Sequence, residues 1–271
     1  MGGFKNAFRN ITDASLAYTI INHVKQGINQ VITATKNLDK ALVDIQIATG
    51  NTRKEVRAML VDYSNLADEM GRTTESVATA SNDWLRAGYE GKEAAELTRA
   101  SMMLSTLGMI EASEATTYLI STLKGWKIEA GEVIDVVDKL TAVDMQAAIS
   151  AGDLALAMSR ANASARLAGS DMDKFIGYVT TVADVTQKSA ESIGESFKTI
   201  YSRFGNVKAA KFAATQEEME SSDYNADEYE SLNDIETVLG SVGIKLRENA
   251  KEWRNIDDVL TDIAESWDNW D

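Results

Sequence analysis

Not one proline occurs in the 271 residues of this chain. At ordinary usage of about 5%, a chain of this length carries about a dozen. Proline breaks a helix interior because it lacks the N–H and its ring clashes with the preceding turn. A proline-free chain with helical periodicity along its length is built of helices, divided by glycines and capping residues. Loops are then scarce, and catalytic constellations concentrate on loops held by a scaffold.

The residue inventory closes further routes. There is no cysteine, so disulfide staples, thiolate zinc sites and cysteine nucleophiles are excluded. His23 is the single histidine, which disfavours histidine metal sites and Ser-His-Asp chemistry. Neither glycine-rich phosphate-binding pattern is present. No catalytic, cofactor-binding or metal-binding residue is therefore expected, no cofactor, and no enzyme. No apolar run approaches the ~18 residues of a membrane span. The first residues lack the apolar region of a signal peptide, and Asn6 breaks the myristoylation pattern that Gly2 would begin.

The net charge of −15 is unevenly spread. Residues 1–61 hold eight Lys/Arg against four Asp/Glu, a net of +4. Residues 216–271 hold four against seventeen, a net of −13. Nucleic-acid binding is disfavoured, because a phosphate backbone selects clustered positive charge. The polarity suits head-to-tail contact between chains or a basic partner for the C-terminal end, besides solubility.

The first helix is expected over 12–48, in a segment 1–51. Ile20, Val24, Ile28, Val31, Thr35, Leu38, Leu42 and Ile45 follow one another at spacings of 4, 4, 3, 4, 3, 4 and 3. That approximates a heptad seam, which keeps one stripe facing a partner helix. About 37 residues give a helix of roughly 55 Å, ended by Gly50.

A body of antiparallel helical hairpins is expected over 52–205. Thr52-Arg53-Lys54-Glu55 reads as a capping box opening a helix to Met70, with Gly71 as its stop. Thr73 or Thr74 opens the next, which ends near Gly88. Helices are expected from Gly91 to Leu107 closed by Gly108, over 112–124 closed by Gly125, and over 129–145. Ser150 opens one closed by Gly169, Ser170-Asp171 opens one to Val185, and Ser189 caps one ending at Gly205. Residues 206–231 are acidic and nearly free of aliphatics from Gln216 to Glu230, which reads as a linker. A small helical unit is expected over 232–271, with Ile235, Val238, Leu239 and Val242 on one stripe. Ile256, Val259, Leu260, Ile263 and Trp267 form another. The ending at Trp270-Asp271 reads as that of a piece of something longer.

Three local patterns bear on chemistry. Asp223-x-Asn225-x-Asp227 resembles the start of a calcium loop, but Glu228 and Asp234 stand where glycine and glutamate are required. Asp135 and Asp138 lie three apart on one helix and read as an exposed face. Met102, Met103, Met109, Met145, Met158 and Met172 read as core filling before a binding surface.

Several stretches together resemble the core region of tail tape-measure proteins of long-tailed bacteriophages and prophages. These are Thr74-Glu75-Ser76-Val77-Ala78 with Trp84-Leu85-Arg86-Ala87-Gly88, Val133 to Leu140, and the small-residue pair Ala155–Gly169 and Met172–Val185. Ser192-Ile193-Gly194-Glu195-Ser196-Phe197-Lys198-Thr199-Ile200 follows, with Ile193-Gly194-Glu195-Ser196 standing in place of the family's Ala-Gly-Thr. Downstream come Leu239 to Leu246, Trp253-Arg254, Asp258-Val259-Leu260 and Ile263 to Trp267. The resemblance covers about 70–271 and rests on the order of these stretches. It implies a structural protein acting as ruler and scaffold in tail tube assembly. Its partners would be the tail tube protein and tail assembly chaperones, and its place the tail tube lumen after assembly in the host bacterial cytoplasm. The seam residues Ile20, Val24, Ile28, Val31, Leu38, Leu42 and Ile45 are the candidates for self-association or chaperone contact. Two alternatives stay open: an all-α interaction or adaptor domain with no phage role, and a pore-forming protein.

Overall fold

A computed structural model describes residues 2–209, 236–249 and 252–266, with backbone alone for 2–21, 23, 24 and 205–209. The fold is all-α, 80% helical, with one two-stranded antiparallel hairpin. The chain divides into two compact units, Met1–Thr98 and Arg99–Asp271.

The first unit contains α1 (Gly2–Thr49), α2 (Arg53–Met70), α3 (Thr74–Arg86) and the start of α4 (Gly91–Leu107). The first helix begins ten residues earlier than expected. Residues 4–11 hold no glycine or proline to stop it, and Asp13 lies inside the helix rather than at its start. At 48 residues it rises about 72 Å. Gly50, at φ 71°, turns the chain out of it.

α2 shows how local the control of these boundaries is. The Glu55 backbone N–H donates to Thr52 Oγ1, and the Thr52 N–H donates to a Glu55 carboxylate oxygen at 2.8 Å. That reciprocal pair satisfies two of the N–H groups every helix start leaves open. The Thr52 N–H holds the Glu55 carboxyl below its ordinary range. Its contribution is therefore present at neutral pH and lost as pH falls through the lowered value. Gly71, in the left-handed conformation, closes the other end. Ala41 and Ile45 of α1 bury against Val56 of α2 and Ala78 of α3, with Leu38, Leu42, Met59, Tyr63 and Leu85 around them. Tyr63 Oη and Ser81 Oγ share a 2.8 Å hydrogen bond from α2 to α3.

The second unit contains α5 (Ala112–Trp126), a short 3-10 turn at Ala130–Glu132, α6 (Val133–Asp144), α7 (Ala151–Ala168), α8 (Met172–Thr186) and α9 (Ala190–Ala209). The axis is α7, whose buried positions are mainly alanine and glycine. Small side chains let its neighbours come close. A Cβ added to Gly194 of α9 would sit 2.4 Å from the Ala157 carbonyl oxygen, and one on Gly125 of α5 2.6 Å from Asn162 Cβ. Polar contacts fix the α5–α7 register. Trp126 Nε1 donates to Asn162 Oδ1 at 2.6 Å, Asn162 Nδ2 donates to Thr122 Oγ1, and Arg166 Nε donates to the Gly125 carbonyl. Buried polar groups of this kind stabilise only when satisfied, and Asn162 is satisfied at both ends. Around α8 and α9, Phe175 meets Phe197 and Tyr201 edge-on at 5.5 Å, the arrangement the ring quadrupoles favour.

Three expected glycine stops differ. Gly125 and Gly205 lie inside α5 and α9, and Gly108 does not take the left-handed conformation. Lys127, Gln187 and Met109 are the residues at positive φ that close α5, α8 and the turn after α4. Gly125 is there for the approach of α7, and so is Gly108, whose added Cβ would meet the Gly152 backbone N at 2.8 Å. Because α9 runs on through Ala209, the first residues of the expected linker 206–231 are helical; from 210 to 231 it lies outside the described residues, as does the calcium-like pattern at Asp223.

The C-terminal part holds helical residues 236–241, β1 (Arg247–Asn249), β2 (Glu252–Trp253) and α10 (Ile256–Ser266). The hairpin was not expected. Arg247 pairs with Trp253 across it, its guanidinium 4.4 Å over the indole ring, a cation–π contact. Val238 and Val242 are exposed rather than forming a buried stripe; Ile256 and Val259 are buried on the stripe expected of them, joined by Ile244 and Leu246. Trp267 and Trp270 lie outside the described residues.

Candidate interaction surfaces

The α1 seam is divided along its length. Ile45 is fully buried and Leu38 and Leu42 are half-buried, covered by α2 and α3. Farther toward the N-terminus, Ile28 is 55% exposed and Val31 66%, with Ile32 beside them. The side chains of Ile20, Val24 and His23 lie outside those described. The reason is length: α2 and α3 have 18 and 13 residues against the 48 of α1. Residues 25–37 carry Lys25 and Lys36 and no acidic residue. The bare stretch is thus apolar on one stripe and neutral polar elsewhere, with two lysines as its charges.

One end of the second unit is open. The α4–α5, α6–α7 and α8–α9 connections meet there, around the start of α7. Gly108 abuts Gly152, the Ala151 N–H donates to Asp144, and the Ala148 N–H donates to Asp184 at 2.8 Å. Met109 is 86% exposed and Met145 80%, and Leu107 and Val185 are exposed too. Met109 is held at φ 52°, a conformation uncommon outside glycine, asparagine and aspartate. A cavity of about 280 Å³ opens nearby, with Ile149, Leu156 and Ala183 as its apolar lining and Asp153, Lys188 and Glu191 as its charged groups. Of the six methionines named above, Met102 and Met158 are core residues as expected, whereas Met109 and Met145 face solvent.

Acidic groups surround this end. Tyr118 registers them: burial raises its phenol, Glu114, Asp153 and Glu191 raise it further, and Arg160 opposes them. Arg160 pairs with Glu191 at 2.5 Å.

The α7–α8 connection, by contrast, is covered. Asp257, at the start of α10, is buried and accepts from Ser170 Oγ at 2.7 Å and from the Asp171 N–H at 2.8 Å. Asn255 Nδ2 donates to the Gly169 carbonyl, and Tyr178 Oη donates to the Asp257 carbonyl. Tyr201 Oη shares a hydrogen bond with Ser170 Oγ, and burial pushes its phenol well above the ordinary range. Sequence reading missed this anchor, because a carboxylate beside Asp258 on an amphipathic helix looks solvated.

No chemistry gathers at the other weighed residues. Asp135 and Asp138 are exposed on α6. Among the described residues, no group of three or more His, Cys, Asp or Glu could hold a metal ion, and no helix is long and apolar enough to cross a membrane.

No solved structure matches the chain. The family model described as phage-related minor tail protein matches residues 64–271, from the end of α2 through α10 and beyond. The match includes the α7–α9 approach at Gly194 and the Asp257 anchor. It spans well over half of the chain, which therefore belongs to the phage-related minor tail protein family.

Proposed function

We propose that this chain is a tail tape-measure protein, or part of one, acting as ruler and scaffold during tail tube assembly. Its family gives it a structural role in a phage tail and an association with the virion. The observation that carries the finer reading is α1, one unbroken helix of 48 residues, against an ordinary mean of about 11–12. A helix has a fixed rise per residue, so residue count encodes distance. Its backbone groups are satisfied internally, so it offers no sheet edge in a confined lumen. The partners in this reading are the tail tube protein, the assembly chaperones and further copies of the chain. The bare part of the α1 stripe, Ile28 and Val31 with Ile20 and Val24 in line, is the contact surface, while Leu38, Leu42 and Ile45 of the same stripe hold α1 on α2 and α3. Assembly takes place in the host bacterial cytoplasm and the product occupies the tube lumen. No catalysis is part of the role. Family membership displaces the adaptor reading with no phage role.

The test is made in the parent phage. Deleting 150–185 removes α7 and α8 and exposes the apolar faces of α5, α6 and α9. Few or no tails are expected in lysates viewed by electron microscopy. Tails in normal number and length would count against the assignment.

A further inference from the structure

We propose that the bare stretch of α1 in one molecule docks on the open, acidic end of the second unit in another, so that copies join head to tail. The inference rests on reading the α1 stripe as an interface, and it names what that stripe binds.

Both surfaces lack a cover and complement one another. Residues 25–37 present Ile28, Val31 and Ile32 with Lys25 and Lys36 as their only charges. The receiving end presents Leu107, Met109, Met145 and Val185 beside a cavity of about 280 Å³. A cavity floored by Ile149, Leu156 and Ala183 suits a branched apolar side chain such as Ile28 or Val31. Its surroundings carry Glu114, Asp144, Asp153, Asp184 and Glu191 against Lys188 and Arg160. The two lysines flanking the apolar stripe are attracted there, whereas the α1 stretches of two copies carry like charges and repel. Methionine gives the receiving surface the adaptability to fit a helix face. A contact between two different patches passes from copy to copy, so it builds rows or rings of chains unless two copies make it reciprocally.

The wild-type chain is expected to show, in sedimentation velocity, masses rising with concentration above the 29.5 kDa of one chain. Two variants separate the surfaces: Ile28→Asp with Val31→Asp, and Met109→Asp with Met145→Asp. All four side chains are exposed, and aspartate is among the residues that tolerate the left-handed conformation at position 109, so circular dichroism should match wild type. Each variant alone is expected to lose at least tenfold in association and run as a monomer. Mixed in equal amounts, they retain one intact pair of surfaces and should form a species of twice the chain mass and nothing larger. Wild type that stays monomeric at every soluble concentration would overturn the proposal. So would a mixture that stays monomeric. If the Met109/Met145 variant associates like wild type while the Ile28/Val31 variant does not, the stripe pairs with itself and only the head-to-tail contact fails. The tape-measure role stands or falls separately, on tail length.

Discussion

Replacing Gly194 by valine is expected to destabilise the second unit by about 3 kcal/mol or more, the upper part of the range for overpacking. The added Cβ alone would sit 2.4 Å from the Ala157 carbonyl oxygen and 3.0 Å from Ala157 Cα. These are backbone atoms of α7, which cannot rotate away as a side chain can. For a unit of this size each kcal/mol is about 2–4 °C of melting temperature, so a loss of roughly 6–12 °C should appear in calorimetry. The control is Gly177→Ala on α8, where nothing lies within 4 Å of the added methyl. There the better helix propensity of alanine should stabilise by up to about 1 kcal/mol. Equal effects at the two positions would mean that α7 and α9 do not approach as described.

Removing the Asp257 carboxylate should free the C-terminal element. In Asp257→Ala the Ser170 hydroxyl and the Asp171 N–H lose their acceptor in a buried place. Hydrogen bonds to a charged group contribute about 1.5–3 kcal/mol each, so a loss of roughly 3 kcal/mol is expected, about a hundredfold in the opening equilibrium. Amide exchange across 256–266 should accelerate by that factor, while exchange in the first unit stays unchanged. Asparagine, which keeps one acceptor oxygen, should recover part of the protection. Unchanged exchange in Asp257→Ala would show that the anchor lies elsewhere, in Asn255 or in the apolar contacts of Ile256 and Val259.

The parts of this fold legible in the sequence are those settled within one helical turn. Thr52 and Ser150 cap the helices expected of them, the cap of α3 falls on Thr73 of the pair Thr73 and Thr74 and that of α8 on Asp171 of Ser170-Asp171, and Gly71 and Gly169 close theirs. A cap and its partner N–H lie two or three residues apart, so their pairing is visible locally. Glycine is ambiguous for a physical reason. Its missing side chain serves a left-handed turn and a close approach equally well, and only the second depends on a distant helix. Gly125 looks like a stop on that account, whereas α7 is what requires it. The Asp257 anchor joins residues 86 and 87 positions apart, and no local pattern announces it. The α1 seam was visible as a stripe, but the division into a covered and a bare part follows from where α2 and α3 end in space. The exposed Met109 and Met145 could not be told from Met102 and Met158 by residue type.

The length of the tail itself tests the central claim. Deleting residues 24–37 from α1 in the parent phage removes two heptads and leaves the stripe in phase. If α1 lies extended along the tube, 14 residues at a rise of about 1.5 Å each shorten every tail by about 20 Å. Averaged electron-microscope images of purified tails resolve that difference. A uniform shortening of about 20 Å is the expected result, and tails of unchanged length would contradict the assignment of α1 as part of a ruler.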